Sequence, residues 1–359
     1  MSEKNVGRTL KCLPKLSYVL LSHNREKYIR QAIESAFAQD YEGELEYIFS
    51  DDCSTDRTFE IIKECVASYI GNRRVVVTQT PHNMHLAGNT NHAVQFATGD
   101  FVIRADDDDL STVDRCSQIG RAIAEHPGCS YVFANHKKFT DKDERQIVKL
   151  CSRPDELVQA RKIYKLKDAV AAIDHFRRDG CLHQAWSLKV YKIFGSLPIE
   201  GYYVDDVMCH YRAVVLGDGV YIPSTLAYIR KASMNMSSGE DDGQRGYSSI
   251  IRKEKFYDKY MHITYAPLKA TINTIVSYLK DTTPEDVHIA QPFFDMLNED
   301  MRKRAILRSY WRKGTINRFR IRRLMKYRGL YPLLRCLPMP IFAALLAMRC
   351  ILTAFRCRG

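Results

Sequence analysis

The chain has 359 residues, enough for one large α/β domain with additions, and its apolar content of 45% excludes a low-complexity or disordered protein. Eleven cysteines without a C-x-x-C pair argue against a disulfide framework or a zinc finger, and they favour reduced thiols in the cytosol. The net charge of +12 is confined to the C-terminal tail: from Met301 onward there are 16 Lys and Arg and no acid, while the preceding residues carry 38 basic against 42 acidic groups.

The N-terminal third predicts strands and helices in alternation. The run LSYVLL at residues 16–21 is apolar and β-rich, as expected for a strand buried on both faces of a parallel sheet. Further strands are predicted at residues 45–49, 74–78 and 101–105, and helices at 26–39, from about 57 to 70, and near 89–97. This βαβαβαβ order predicts a parallel sheet with right-handed crossovers.

Two of these strands end in acidic residues. The stretch GDFVIRADDDDL at residues 99–110 delivers four consecutive aspartates, and the strand at 45–49 runs into Asp51 and Asp52. A solvated acidic turn or helix capping would explain such acids without a ligand. However, strand ends at one edge of an α/β sheet form its usual ligand crevice, where carboxylates hold divalent metal together with phosphate oxygens. Capping also leaves Asp51 and Asp52 unexplained, because both precede the capping position.

The second half of the chain predicts a less regular pattern. We expect a helix at 111–125, a strand at 130–138, a charged surface loop at 140–154 and a helix at 165–178. The segment YYVDDVMCHYRAVVL at 202–216 then places Asp205 and Asp206 ahead of another helix. These two acids either cap that helix or face a reaction site, and one can do each.

Four stretches in order, SYVLLSHNREKYIRQAIESAFAQ, IFSDDCSTDRT, NTNHAVQFATGDFVIRADDDDLS and VDDVMCHYR, resemble the successive motifs of family 2 glycosyltransferases. The resemblance covers about residues 16–233. It implies a GT-A fold, a Rossmann-like, mostly parallel sheet flanked by helices. It also implies an inverting transfer of a sugar from a nucleotide-diphospho-sugar donor, with Mn²⁺ or Mg²⁺ as cofactor. The implied reaction needs the metal to stabilise the leaving diphosphate as a Lewis acid.

The resemblance also assigns roles to particular residues. Asp108 would be the metal ligand that bridges to the diphosphate, and Asp52 would accept a hydrogen bond from the base, commonly uracil. The implied nucleotide-binding residues are Ser22, His23, Asn24, Asp52, His85, Asn91, Asp106 and Asp107. His23 stands where the family often has Tyr, and His85 lies in a loop where Gly or Arg is common. These departures concern the identity of the nucleotide more than the reaction.

On the acceptor side, Asp206 aligns with the general base of the family. A carboxylate suits that role, because the acceptor hydroxyl loses a proton as it attacks. GCLHQAW at 180–186 resembles the loop that closes over the sugar, and residues 228–233 resemble the closing strand near the diphosphate, with Lys231 replacing a common His. The candidate acceptor or diphosphate contacts are Gln184, Trp186, Asp205, Arg212 and Arg230.

We expect residues 1–246 to form the catalytic domain, with a nucleotide-sugar half to about residue 110 and an acceptor half to 246. Residues 247–359 read as a helical, basic extension that associates with membrane. Its apolar run at 336–348 is too short to span a bilayer, which favours an interfacial segment with basic residues toward anionic headgroups. A helix docked on the catalytic domain is the alternative. No RNA-binding motif accompanies the basic residues, so no nucleic-acid partner is expected.

The expected function is therefore an inverting, metal-dependent glycosyltransferase that acts on a glycan or lipid-linked acceptor in bacterial surface polysaccharide synthesis. The N-terminal MSEKNVGRTLKC has no signal-peptide core, so we expect a cytoplasmic protein, peripheral on the inner face of the cell membrane. Two alternatives remain. A nucleotidyltransferase would carry a basic, Gly-rich phosphate loop near the N-terminus, and residues 22–28 have none. A non-catalytic membrane-binding module would not need Asp108 and Asp206.

Overall fold

The computed structural model describes residues 12–154, 161–179, 184–199, 205–231, 265–283 and 285–312. These residues build one sheet with helices on both faces. The strands are β1 Leu16–Ser22, β2 Leu45–Asp51, β3 Val75–Gln79, β4 Phe101–Asp106, β5 Leu110–Ser111, β6 Cys129–Phe139, β7 Lys162–Tyr164, β8 Gln184–Ser187 and β9 Asp218–Arg230. The helices are α1 Ile29–Phe37, α2 Thr58–Ala67, α3 His85–Val94, α4 Arg115–Glu125, α5 Glu144–Cys151, α6 Ala169–Asp179, α7 Lys189–Phe194, α8 Asp205–Val214, α9 Tyr265–Thr282 and α10 Asp286–Arg312.

The sheet has the strand order β3-β2-β1-β4-β8-β6-β9-β5, and β7 pairs with β9. The first four strands of this order are parallel, as the βαβ alternation predicts. β8 is antiparallel to both of its neighbours, β4 and β6, and β6 is parallel to β9. β8 therefore joins the predicted parallel sheet to a second set of strands that belongs to the acceptor half.

Successive residues of β1 point to opposite faces of the sheet, as in any strand. Tyr18 and Leu20 pack on the side covered by α1, α2 and α4, while Val19 and Leu21 pack on the side covered by α3, α6 and α8. Both faces are buried. This explains why the sequence of β1 is continuously apolar instead of alternating.

Helices α9 and α10 pack into the same core as the acceptor half. Ile275 of α9 and Phe293 of α10 are buried in one hydrophobic cluster with Met208 and Tyr211 of α8. The predicted division at residue 246 therefore does not separate two cores. The basic tail lies largely beyond the described residues, which end at 312, and so does the apolar run at 336–348. None of the helices in the described ranges combines the length and apolarity that crossing a membrane requires.

Two local predictions were wrong. The segment predicted as a surface loop contains α5, because Ile147 and Cys151, one helical turn apart, are buried against Phe139 of β6. The part of the predicted acceptor loop that the structure describes is the central strand β8, which starts at Gln184; residues 180–183 lie outside the described ranges.

Candidate functional site

The carboxyl ends of β1, β2 and β4 meet at one edge of the sheet. Ser22 of β1 lies opposite Asp51 of β2, and Leu21 lies opposite Asp106 of β4. Asp52 continues the pairing, since its N–H donates to the carbonyl of Ser22 at 2.8 Å. Acidic loops that are more than fifty residues apart in the sequence thus share the crevice in which an open α/β sheet binds ligands.

The loop after β1 is held by hydrogen bonds to both acidic loops. The N–H of His23 donates to Asp107 Oδ2 at 2.8 Å, and the His23 ring, through Nδ1, lies 2.8 Å from the carbonyl oxygen of Asp52. Asn24 has a left-handed backbone, with φ of 53°, and its N–H donates to Ser54 Oγ at 2.9 Å. His23 and Asn24 therefore stand beside Asp52 and Asp107, as the predicted nucleotide site requires.

Asp51 and Asp52 have different surroundings. Asp51 is fully buried and accepts hydrogen bonds from the N–H of Ser54 at 2.9 Å and the amide of Gln79 at 2.8 Å, so it shapes the loop. Asp52 accepts from the Thr80 hydroxyl at 2.8 Å and the Met84 N–H at 2.7 Å, and both bonds go to Oδ1.

The segment after β3 completes this end of the crevice. Asn83 places its amide nitrogen 3.0 Å from His23 Nε2, and its amide oxygen accepts from the N–H of His85 at 3.0 Å. His85 is exposed, and its φ of 58° lies in the left-handed region that side chains other than Gly rarely adopt.

The four aspartates at positions 106–109, here called the acidic turn, form an electrostatically crowded site. Burial and the neighbouring acids raise the pKa of Asp108 to about 7 and that of Asp109 to about 8, and they raise the pKa of Asp107 well above its ordinary value. One cation beside Asp107 and Asp108 is Arg25, whose Nε lies 3.6 Å from Asp108 and 3.7 Å from Asp107. Burial thus disfavours the charged forms of these carboxylates, and an added positive charge would favour them.

A divalent cation fits this chemistry. Within the described ranges, no three His, Cys, Asp or Glu side chains converge closely enough to hold a metal by themselves. Mg²⁺ and Mn²⁺ do not require such a cage when one or two carboxylates act together with phosphate oxygens of a substrate. Asp108, with Asp106 and Asp107 beside it, supplies oxygens of that kind.

Arg104 connects the acidic turn to the acceptor half. It lies in the middle of β4 with 3% of its side chain exposed, and its Nη1 donates to Asp106 Oδ2 at 2.7 Å. Its Nε donates to Asp205 Oδ2 at 2.8 Å, and the Thr90 hydroxyl donates to the same oxygen at 3.1 Å. One buried guanidinium therefore holds a donor-side and an acceptor-side carboxylate together.

Asp206 follows at the first turn of α8, buried beside this pair. Its Oδ1 accepts the N–H of Val207 at 2.8 Å. Burial and the adjacent Asp205 raise the pKa of Asp206 to about 7, although Arg104 acts in the opposite direction. A buried carboxylate with a pKa close to neutral pH has the property expected of a general base.

Several residues predicted to contact the acceptor, the diphosphate or the nucleotide are enclosed by, or hydrogen-bonded to, other parts of the protein. Trp186 is fully buried in the core, so its side chain is enclosed by protein and not presented to an acceptor. Arg212 is 1% exposed and donates to the carbonyls of Gly195 and Ser196. The amide of Asn91 binds both the N–H and the carbonyl of Leu197. Asp205 is fully buried against Arg104.

Two further predicted contacts lie in strands. Gln184 begins β8, where its backbone pairs with Phe133 of β6. Arg230 ends β9 and is completely buried, against its predicted role as a contact to acceptor or diphosphate. Its Nε donates to the backbone carbonyl of Asp108 in the acidic turn.

Two residues that the sequence reasoning missed belong to the site. Arg25 lies beside Asp107 and Asp108, and its only sequence signal is its position directly after Ser-His-Asn. Arg104 gave a clearer signal, since a charged residue in the middle of an otherwise apolar strand requires a buried partner.

An open α/β sheet with acids at the ends of β2 and β4, on either side of β1, has the crevice in which such sheets bind ligands. Residues 17–182 match the family described as Glycosyl transferase family 2. Over these residues the chain carries a family 2 glycosyltransferase domain, and its mostly parallel sheet flanked by helices is the architecture that the motifs imply, which confirms the resemblance.

Named relatives align over part of their length. EpsE of Bacillus subtilis is 40% identical over 113 residues, which are 32% of this chain and 40% of EpsE. The GalNAc(5)-diNAcBac-PP-undecaprenol beta-1,3-glucosyltransferase of Campylobacter jejuni is 31% identical over 123 residues, 34% of this chain and 38% of the relative. TarS of Staphylococcus aureus, a poly(ribitol-phosphate) beta-N-acetylglucosaminyltransferase, is 32% identical over 114 residues, 31% of this chain and 19% of TarS.

A crystal structure of TarS residues 1–349 with UDP-GlcNAc superposes with a TM-score of 0.49 at 15% identity, covering 83% of this chain and 91% of that one. The sequence alignments span less than half of EpsE, TarS and the Campylobacter jejuni protein.

Proposed function

We propose that this protein is an inverting glycosyltransferase that moves a sugar from a nucleotide diphosphate donor to a glycan or lipid-linked acceptor, as in bacterial surface polysaccharide synthesis. The observation that carries the proposal is the buried link from Asp106 through Arg104 to Asp205, beside Asp206. It joins the acidic end of β4, suited to metal and diphosphate, to a carboxylate whose pKa of about 7 suits a general base. The names of two relatives support this acceptor class, since TarS is named for poly(ribitol-phosphate) and the Campylobacter jejuni protein for a GalNAc-containing chain linked to undecaprenol.

In the proposed reaction, Asp52 and the loop of Ser22, His23 and Asn24 bind the nucleoside, and Asp106 and Asp107 orient its ribose and phosphates. Asp108 would hold the Mn²⁺ or Mg²⁺, which when bound neutralises charge on the leaving diphosphate. Asp206 accepts the proton of the acceptor hydroxyl as that oxygen forms the new glycosidic bond. The anomeric carbon is attacked from the face opposite the diphosphate, so its configuration inverts.

Replacing Asp206 with Asn tests the base directly. Removal of a positioned base typically lowers the rate by about 10²–10⁴-fold. The Asp206→Asn variant should therefore bind the nucleoside diphosphate with unchanged affinity, measured by calorimetry, and transfer sugar at least about 100-fold more slowly. The matched control is Asp295→Asn, since Asp295 is an exposed acid of α10 that hydrogen-bonds Gln291.

The assay for this comparison is nucleoside diphosphate release from a panel of nucleotide sugars, with product analysis by mass spectrometry. Full transfer by Asp206→Asn would refute the base assignment. Release of inorganic pyrophosphate from a nucleoside triphosphate and a sugar phosphate would identify a nucleotidyltransferase instead. If none of the nucleotide sugars is turned over in the presence of Mn²⁺ and an acceptor glycan, the result would favour the non-catalytic membrane-binding module.

For localisation we propose that the basic tail binds the cytoplasmic face of the membrane. Its support is the sequence alone: 16 basic residues without an acid from Met301 onward. Lys and Arg near an anionic surface contribute about 1 kcal/mol each, and salt screens that attraction. Truncation after Arg312, where α10 ends, removes 11 of these 16 basic residues and the apolar run at 336–348, so it should strongly reduce co-sedimentation with vesicles of anionic lipid. Equal sedimentation of the full and truncated chains would contradict the proposal.

A further inference from the structure

Arg230, the last residue of β9, lies behind the acidic turn and contacts it through both backbone and side chain. Its N–H donates to Asp109 Oδ1 at 2.8 Å, and its Nε donates to the carbonyl oxygen of Asp108 at 3.0 Å. Two successive residues of the turn are thus fixed by one residue, which is fully buried. Because Arg230 binds the carbonyl oxygen of Asp108, the backbone of Asp108 is held in one orientation, and this limits the directions in which its side chain can point.

The guanidinium itself is held on all sides. Nη1 donates to Asp141 Oδ1 at 2.8 Å and to Glu144 Oε2 at 2.9 Å, and Nη2 donates to Gln31 Oε1 at 2.9 Å. The rings of Tyr28 and Phe139 each lie 4.5 Å from its central carbon. Such planar, multidentate binding is specific to Arg, since Lys would supply only a point charge.

The partners of Arg230 come from several elements. Gln31 lies on α1 and Tyr28 immediately before it, Phe139 ends β6, and Glu144 begins α5. Through these contacts, Arg230 fixes the position of the acidic turn relative to the β1–α1 loop, which carries Arg25. It also fixes the turn relative to the strands of the predicted acceptor half.

We propose that Arg230 is a positioning residue that orients the Asp108 carboxylate for metal binding. This inference rests on the proposed function, in which Asp108 is the metal ligand. Groups that orient a metal ligand without touching the metal commonly change metal affinity by about 10–100-fold when removed. Arg230→Gln should therefore raise the dissociation constant for Mn²⁺ by about 10-fold or more, with a smaller effect on the KM of the acceptor.

The readout is Mn²⁺ binding by electron paramagnetic resonance in the presence of a nucleoside diphosphate, whose phosphate oxygens complete the proposed site. Binding is followed as the loss of the free-ion signal on adding full-length protein, beyond the loss that the nucleotide alone causes. Arg230→Lys keeps the positive charge but loses the several hydrogen bonds of the planar guanidinium. The Mn²⁺ affinity of this variant should therefore fall nearly as far as that of Arg230→Gln. Tyr28→Leu removes one face of the ring stack and keeps the arginine, so a several-fold weakening is expected. It also provides a milder variant should Arg230→Gln fail to fold.

The matched control is Lys27→Met. Lys27 is an exposed cation that binds the same carboxylate of Asp141 at 2.6 Å, yet no described contact joins it to the acidic turn. Its Mn²⁺ affinity should equal that of the unmodified protein. Wild-type affinity in Arg230→Gln or Arg230→Lys would overturn the positioning role alone. With the nucleoside diphosphate present, wild-type affinity in Asp108→Ala, or no Mn²⁺ binding by the unmodified protein, would overturn the metal assignment on which the role depends.

Discussion

Replacing Arg104 with Met should destabilise the fold more than replacing any surface arginine. The substitution leaves Asp205 fully buried with only the Thr90 hydroxyl among its described hydrogen-bond partners. Asp106, the other partner of Arg104, has 24% of its side chain exposed and can regain water. Removing one member of a buried ion pair costs about 3–5 kcal/mol, because the remaining charge stays desolvated. We expect that loss in the free energy of unfolding of Arg104→Met.

The double variant Arg104→Met with Asp205→Asn separates this cause from loss of packing. It removes the uncompensated charge but keeps an oxygen that can accept from Thr90. It should therefore recover about 2 kcal/mol of the loss, a coupling within the range measured for neighbouring residues.

The control is Arg74→Met. Arg74 binds the buried Glu46, but 48% of its own side chain is exposed, and Glu46 keeps donors from Ser17 and Thr98. Arg74→Met should therefore lower the free energy of unfolding by about 1 kcal/mol or less.

Urea unfolding followed by far-ultraviolet circular dichroism measures all of these variants. Two results would refute the reasoning: a loss of less than about 1 kcal/mol in Arg104→Met, or a double variant no more stable than the single one. Either would mean that the contact between Arg104 and Asp205 does not stabilise the fold as a buried ion pair should.

Two further predictions concern activity. Asp52→Ala should raise the dissociation constant of the nucleoside diphosphate and the donor KM while kcat changes little, as measured by calorimetry and initial rates. An unchanged dissociation constant would return Asp52 to the capped-turn interpretation. A general base must be deprotonated to accept a proton, so kcat/KM should rise with pH through about 7, the value to which burial and Asp205 raise the pKa of Asp206. In Asp206→Asn, the rise of kcat/KM with pH through about 7 should be absent. If the rise persists, the titrating group is a residue other than Asp206.

The donor half was predictable because its signals are local. Apart from Glu46 and Arg104, the strands β1 to β4 are largely apolar, and the crevice acids lie at or directly after the ends of their strands, so topology brings Asp52 and Asp106 to one edge. The start of α3 at His85, four residues before the expected helix, reflects the usual uncertainty at helix ends.

The acceptor half was harder to predict for two physical reasons. Its strands β7 and β8 are too short for periodicity to identify, and β8 derives its place from pairing with strands distant in sequence. Charged residues around Ile147 and Cys151 masked the amphipathic pattern of α5. The roles of Arg104 and Arg230 depend on contacts about a hundred or more residues apart, which no local pattern contains.

The position of β8 has a consequence for how the enzyme would lose activity. In the described part of the chain, β4 pairs with β8 only over Phe101–Ile103, whereas β1 and β2 pair along their whole length. Short ladders open at lower free energy than long ones, so mild stress should part the sheet at β8 while the parallel strands stay intact. Asp106 and Asp206 lie on elements from opposite sides of that seam. Their alignment would fail while most of the secondary structure persists, so inactivation would come before unfolding.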